Sequence, residues 1–200
     1  MIPIQNVYYM LSYAFQVLNE QGYKNIATEQ FHNTGELMAA ILEKGIAIQL
    51  KRGLGKEYIP QTEELSSLRG KIDIAESIKT QSMLRKQLIC TYDEFSVNST
   101  MNRIIKSTAA LLLRSNISKQ RKKNLRKLMM YFGEVDFIDL HTVNWNVQYN
   151  RNNQTYRMLI SVCYLVVKGL LQTQSDGSTQ LMDFLDEQRM CRLYEKFILE

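Results

Sequence analysis

The sequence predicts an α+β fold, with five to six helices flanking small antiparallel β-ribbons, one of which projects as a finger. Three observations carry that expectation. Stripes such as Met101, Ile104, Ile105, Thr108, Leu111 and Leu112 recur at helical spacing. Short runs such as Glu57-Tyr58-Ile59 and Lys71-Ile72-Asp73-Ile74 alternate polar with apolar residues, the period of a half-buried strand. Two Arg-Gly steps, Arg52-Gly53 and Arg69-Gly70, bracket a polar excursion containing Tyr58 and Pro60. Glycine frees the backbone at each step for turn or bulge geometry, so both arginines are expected on a shaped backbone rather than a helix face.

The first element, Asn6 to Leu18, places Val7, Met10, Leu11, Ala14 and Phe15 on one helical face, with Asn6 as cap and Gly22 as terminator. A second helix is expected from a Thr34 cap to Gly45. Ile46-Ala47-Ile48-Gln49-Leu50 then alternates and reads as a strand leading into the ribbon. The ribbon is expected to carry a long tip, Pro60 to Leu68, too polar to form a core. Residues 75–85 suit a short helix and Leu88 to Asp93 another strand.

Asn98 or Ser99 caps a third strong helix, and a fourth runs from about Ser118 to Phe132, ended by Gly133. Val143, Trp145, Val147 and Tyr149 alternate with Asn144, Asn146 and Gln148, as in a strand. A polar loop leads into a fifth helix, Tyr156 to Leu171, apolar around much of its circumference and therefore centrally buried. Gln172 to Gln180 is the best linker, and Asp186 to Glu200 is an amphipathic helix that ends uncapped, as though cut.

Composition narrows the function classes. A chain of 200 residues with 45% hydrophobic content buries a substantial core. Cys90, Cys163 and Cys191 are odd in number and lack CxxC spacing, so neither a disulfide framework nor a zinc site is supported. No signal peptide and no apolar run long enough for a bilayer is present, so a cytoplasmic location with no membrane role is expected. The net charge of +5 is uneven: between Phe95 and Gly133 there are nine Lys or Arg and no Asp or Glu. Such a block makes a local positive field that suits an acidic partner, although a solvated helix face explains it equally well.

His32 and His141 stand apart from any ligand cluster, so no metal site is expected. No nucleophile elbow and no GxxxxGK[ST] phosphate loop occurs. Tyr9 and Tyr13 are expected to pack a core or interface, and Arg103 to find a tertiary acceptor such as Asp93 or Glu94.

The segment Ile2-Pro3-Ile4-Gln5-Asn6-Val7-Tyr8-Tyr9-Met10-Leu11-Ser12-Tyr13-Ala14 resembles the opening of the McrC family, nuclease-bearing subunits of the McrBC restriction systems directed at 5-methylcytosine. Further blocks agree in order and spacing: Lys44-Gly45, Arg52-Gly53, Arg69-Gly70-Lys71-Ile72, Asn102 to Thr108, and Ile160-Ser161-Val162-Cys163. Leu193-Tyr194-Glu195-Lys196-Phe197 resembles the helix that leads into the nuclease.

The resemblance implies that residues 1–180 form a motor-binding domain and 181–200 the start of a connection to a nuclease domain. It implies docking on a hexameric McrB-type AAA+ GTPase ring, stimulation of GTP hydrolysis and coupling to DNA cleavage. The partner-binding candidates are Arg52, Tyr58, Arg69 and Lys71. GTP and Mg²⁺ then belong to the motor and a further Mg²⁺ to the nuclease, with no cofactor and no catalytic residue in this chain. Asp73, Glu76 and Lys79 have the wrong spacing for a PD-(D/E)XK centre, and Glu195-Lys196 lacks the intervening residue. The rival expectation is a stand-alone DNA-binding module using Lys119, Arg121, Lys122, Lys123, Arg126 and Lys127 on phosphates.

Overall fold

A computed structural model describes residues 4–15, 18, 23–150, 153, 155–173, 179–181 and 195. The chain divides into two compact units, Met1–Leu54 with Thr100–Glu200, and Gly55–Ser99. The chain is of the expected α+β class, the first unit mainly helical and the second built on a small antiparallel sheet.

In the helical unit, α1 (Ile4–Ala14) buries Val7, Tyr8 and Leu11. It starts before Asn6, which is therefore not its cap. Tyr9 and Tyr13 lie outside the core at 57% and 75% exposure, because the buried position falls to Tyr8, whose hydroxyl donates to the Leu18 carbonyl. A short α2 (Lys24–Thr28) precedes α3 (Thr34–Arg52). The α3 cap is Asn33 rather than Thr34, its side chain accepting from the Glu36 N–H at 2.7 Å.

Helix α3 does not stop at Gly45. A Cβ there would lie 2.2 Å from Leu159 Cδ2 and 3.0 Å from the Tyr23 hydroxyl, so this glycine is a close-packing site within the helix. The strand expected at residues 46–50 is helix instead. Its buried positions, Ile41, Leu42, Gly45, Ile46 and Gln49, recur every three to four residues, the period of a helix.

Helix α3 packs against α5 (Thr100–Arg114), α6 (Lys119–Met129) and α7 (Tyr156–Tyr164). Ser118 caps α6, and a 3₁₀ turn, Met130–Phe132, extends it to Gly133 as expected. Residues 143–149 alternate in burial as a strand would, yet no strand pairs with them among the described residues. They lie against helix instead, with the Trp145 ring edge-on to Tyr164 at 5.4 Å. Helix α7 is centrally buried and continues as π-type turns over Leu165–Leu170. Part of the expected linker is an antiparallel pair, β4 (Leu171–Thr173) with β5 (Thr179–Leu181), and residues 174–178 lie outside the described set. Apart from Glu195, the expected helix 186–200 also lies outside it.

The second unit holds β1 (Glu57–Leu65), β2 (Lys71–Asp73) and β3 (Leu88–Ser96), in sheet order β1-β3-β2. The expected ribbon of β1 with β2 is thus split by β3. The long tip does not form either, since Pro60 to Leu65 pair with Asp93 to Leu88 and only residues 66–70 turn the chain. Proline is admissible because β1 is an edge strand, where a missing N–H leaves no ladder bond unmade. Between β2 and β3 run α4 (Ile74–Lys79), capped by Asp73, and a 3₁₀ turn, Ser82–Arg85. Ser77 Oγ ties these together, donating to the Asp73 carbonyl at 2.6 Å and accepting from the Ile89 N–H at 2.8 Å.

Candidate functional site

None of residues 57–72 is buried, and the candidate side chains of the sheet unit all face solvent. Gly70 fixes the turn that presents Arg69. Its φ is +67°, and a Cβ there would sit 2.3 Å from the Thr91 carbonyl oxygen and 2.7 Å from Tyr92 Cβ. Only glycine accommodates both the dihedral and that approach. The Arg69 guanidinium lies 4.1 Å above the Tyr92 ring, and the Tyr92 hydroxyl donates to Glu63 at 2.9 Å. That hydrogen bond is the main cause that raises the Tyr92 pKa above the ordinary tyrosine range. Lys71 stands opposite Thr91 at the start of β2.

Tyr58 pairs across the ladder with Phe95, ring centroids 4.9 Å apart, with Lys56 Nζ 5.7 Å over Phe95. Tyr58 keeps 73% of its surface in solvent. Sequence reading missed Phe95 and an exposed apolar set, Leu68, Ile74, Ile78, Met83 and Leu84. The signal was present: Ile74 and Ile78 stand four apart, on one face of a segment too short to need an apolar face for its own sake.

Arg52 belongs elsewhere. It is exposed in the last turn of α3 in the helical unit, and Gly53, at φ +90°, is that helix's C-cap. The first Arg-Gly step is thus a helix end, not a ribbon base, because α3 runs seven residues past Gly45.

The basic block is divided by the geometry of α6. Arg121 points inward, with 15% of its side chain exposed. Its Nη1 meets Glu43 at 3.0 Å, its Nη2 meets Glu29 at 3.1 Å, and its Nε meets Glu36 at 3.5 Å. Burial works to lower its pKa, but hydrogen bonding and attraction from Glu43, then Glu29, outweigh it and hold the guanidinium above its ordinary value. Glu36 also accepts from the Ser118 N–H and hydroxyl, and Glu43 from Asn124. Arg121 therefore leaves the solvent-facing set expected from sequence. Lys119, Lys122, Lys123, Arg126 and Lys127 have no carboxylate within ion-pair distance among the described residues.

Two other cations are also used internally. Lys106 donates to the Phe132 carbonyl at 2.9 Å and to that of Val135, and lies 4.7 Å over the Phe137 ring. Arg103 donates to the Phe137 carbonyl, which takes the place of the expected Asp93 or Glu94.

The residues do not fit a nuclease metal centre. Asp73 is the α4 cap, accepting from the Glu76 N–H, and Glu76 pairs with Lys79. Among the described residues no three His, Cys, Asp or Glu side chains are placed to hold a metal ion, and no helix is long and apolar enough to cross a membrane.

Over residues 4–200 the chain matches the family described as the McrBC 5-methylcytosine restriction system component. It is 31% identical over 208 residues to the type IV methyl-directed restriction enzyme EcoKMcrBC of Escherichia coli K12, covering 100% of this chain and 58% of that protein. Its fold is similar to one in the cryo-EM structure of the Thermococcus gammatolerans McrBC complex, with TM-score 0.61, 21% identity, and coverage of 98% of this chain and 57% of that one. A refined half-complex of Thermococcus gammatolerans McrB AAA+ hexamers with bound McrC gives TM-score 0.60 and 20% identity, over 95% of this chain and 46% of the other. The chain thus spans about half the length of the relatives it matches. Its own motifs and this full-length match agree: the chain belongs to the McrBC 5-methylcytosine restriction system component family.

Proposed function

We propose that this chain is the motor-binding part of an McrC-type subunit. It docks on a hexameric McrB-type AAA+ ring, stimulates GTP hydrolysis and couples ring movement to DNA cleavage by a nuclease domain, in the cytoplasm. The observation that carries this reading is the separate sheet unit, in which none of residues 57–72 is buried and apolar side chains stay in solvent. Such a surface is poorly explained by the stability of its own unit. Tyr58, Arg69 and Lys71 supply contacts from the sheet, and Arg52 supplies one from the end of α3.

Ring GTPases need water and arginines aligned at subunit boundaries. A stiff insert biases those boundaries by binding one arrangement better than another, without donating a catalytic group. Arg69 suits this role because Tyr92 and the Gly70 turn hold its planar guanidinium in place before contact. GTP and its Mg²⁺ reside on the motor, and the nuclease Mg²⁺ resides on the domain that cuts.

The test is GTP turnover by the matching purified motor as this chain is added. Turnover should rise to saturation, and Arg69→Ala with Tyr58→Ala should blunt it. Unchanged turnover at saturating chain overturns the reading.

A further inference from the structure

We propose that the solvent face of α6 is a docking surface for the phosphate backbone of duplex DNA, gripped by Lys119, Lys122, Lys123, Arg126 and Lys127 without reading sequence. The inference rests on family membership and not on motor docking.

Its first support is geometric. At about 100° per residue, these five side chains fall within an arc of about 140°, and Arg121, Leu125 and Leu128 fall on the opposite side. The inward face is already used, by Leu125 in the core and by Arg121 on its three glutamates. Along the helix the five charges span about 12 Å.

The second support is energetic. Helix α6 carries no acidic residue at all. Lys119 with Lys123, Lys122 with Arg126, and Lys123 with Lys127 are like-charged pairs four apart, each of which destabilises an isolated helix. Lys119 and Lys122 also sit in the first turn, where the helix dipole disfavours cations. Only Arg126 and Lys127, in the last turn, are favoured by the dipole, and a dense polyanion offsets the repulsion among all five cations.

Duplex DNA presents about one charge per 1.7 Å of axis, which suits a short, dense cationic arc. A lipid surface is a poorer fit, because an interfacial helix must insert its apolar face and that of α6 is inside the protein. The family name identifies DNA as the polyanion these systems handle, since 5-methylcytosine is a DNA base. Base readout is not expected from this face. Asn124 is held by Glu43 and Gln120, so its amide is not free to pair with a base, and four of the five cations are lysines, compact charges suited to phosphates.

The experiment is fluorescence anisotropy with the full chain, no motor, and a short fluorescein-labelled, unmethylated duplex of arbitrary sequence. Binding should weaken linearly with log salt, with a slope of about −4.5 if all five cations contact phosphates. Lys122→Glu with Lys123→Glu should lower affinity at least about tenfold and flatten the slope by about 2. The neutral pair Lys122→Gln with Lys123→Gln should flatten it similarly with a smaller loss, and Lys79→Glu in the sheet unit should leave binding unchanged. Full affinity in both lysine-pair variants, salt-insensitive binding, or capture by phosphatidylserine vesicles without capture of the duplex would each overturn the proposal. Failure of the motor reading appears in GTP turnover instead, so the two outcomes are separable.

Discussion

In the helical unit, Leu37, Met38, Ile41, Leu42 and Ile46 have no exposed surface at all, whereas the fully buried side chains of the sheet unit are Cys90, Ser77 and Ser82. The sheet unit has only a small apolar interior, Cys90 and Ile89 beside the hydroxyls of Ser77 and Ser82, and leaves Ile74, Ile78, Met83 and Leu84 outside. Apolar burial holds the first unit together. Ladder bonds, the Asp73 cap and the Ser77 hydroxyl hold the second, whose apolar atoms remain available to a partner.

The sharpest break of this contrast is a matched pair of truncations. Leu42→Ala should cost about 3–5 kcal/mol in urea unfolding, since it opens a cavity in a fully packed site. Ile78→Ala should stay within about 0.5 kcal/mol. A comparable loss at Ile78 would mean that the sheet unit does depend on its outer apolar surface.

Glycine substitutions come next. Gly70→Ala should destabilise the sheet unit by about 2–4 kcal/mol, from the positive φ and the collision with the Thr91 carbonyl. It should accelerate amide hydrogen exchange in β3 while leaving α3 protected. Gly53→Ala meets open space, but φ +90° with ψ +144° is a region that essentially only glycine adopts, so it should cost about 1–3 kcal/mol from the dihedral alone.

Arginine replacements sharpen the electrostatic half. Arg121→Met leaves Glu29, Glu36 and Glu43 facing one another, and should cost about 2–3 kcal/mol after allowance for the half-exposed Glu29. Arg85→Met removes an exposed pair with Glu64 and should cost under about 1 kcal/mol. Thermal melts of the two variants measure the difference.

The remaining effect is confined to alkaline pH. Burial pushes the Cys163 thiol up to about 12, so the folded chain keeps a proton that the unfolded chain releases above pH 9. This contribution is fully present below pH 9, and stability falls by about 1.4 kcal/mol per pH unit between 9 and 12. Tyr149, also raised to about 12 by burial, adds to the fall above pH 10. Urea unfolding at pH 8 and pH 10 should reveal the slope, and Cys163→Ala should flatten it.

The helices were legible because their apolar stripes obey a single period, and Gly53 and Gly70 were legible because positive φ selects glycine. Three misreadings have separate causes. Gly45 reads as a stop, yet its missing Cβ serves the approach of Leu159, which no local pattern reveals. Pro60 reads as a break, yet edge strands tolerate it, and edge status depends on β3, whose residues lie about thirty positions on. Arg121 reads as one of a basic run, although its helical angle already places it with Leu125. That last error was avoidable from sequence. For Ile74 and Ile78 the four-residue spacing signalled an apolar face, but a short amphipathic segment looks the same whether that face is covered or bare.

Strand β3 has β1 along nine residues on one flank and β2 along only three on the other. Beyond Thr91, no strand pairs with its second flank among the described residues. An extended peptide could complete that flank without unfolding anything. The acidic side chains of Asp93 and Glu94 beside it make a second copy of the same strand a poor candidate at neutral pH. The sheet is left unfinished on one margin and guarded there by charge against closing upon itself.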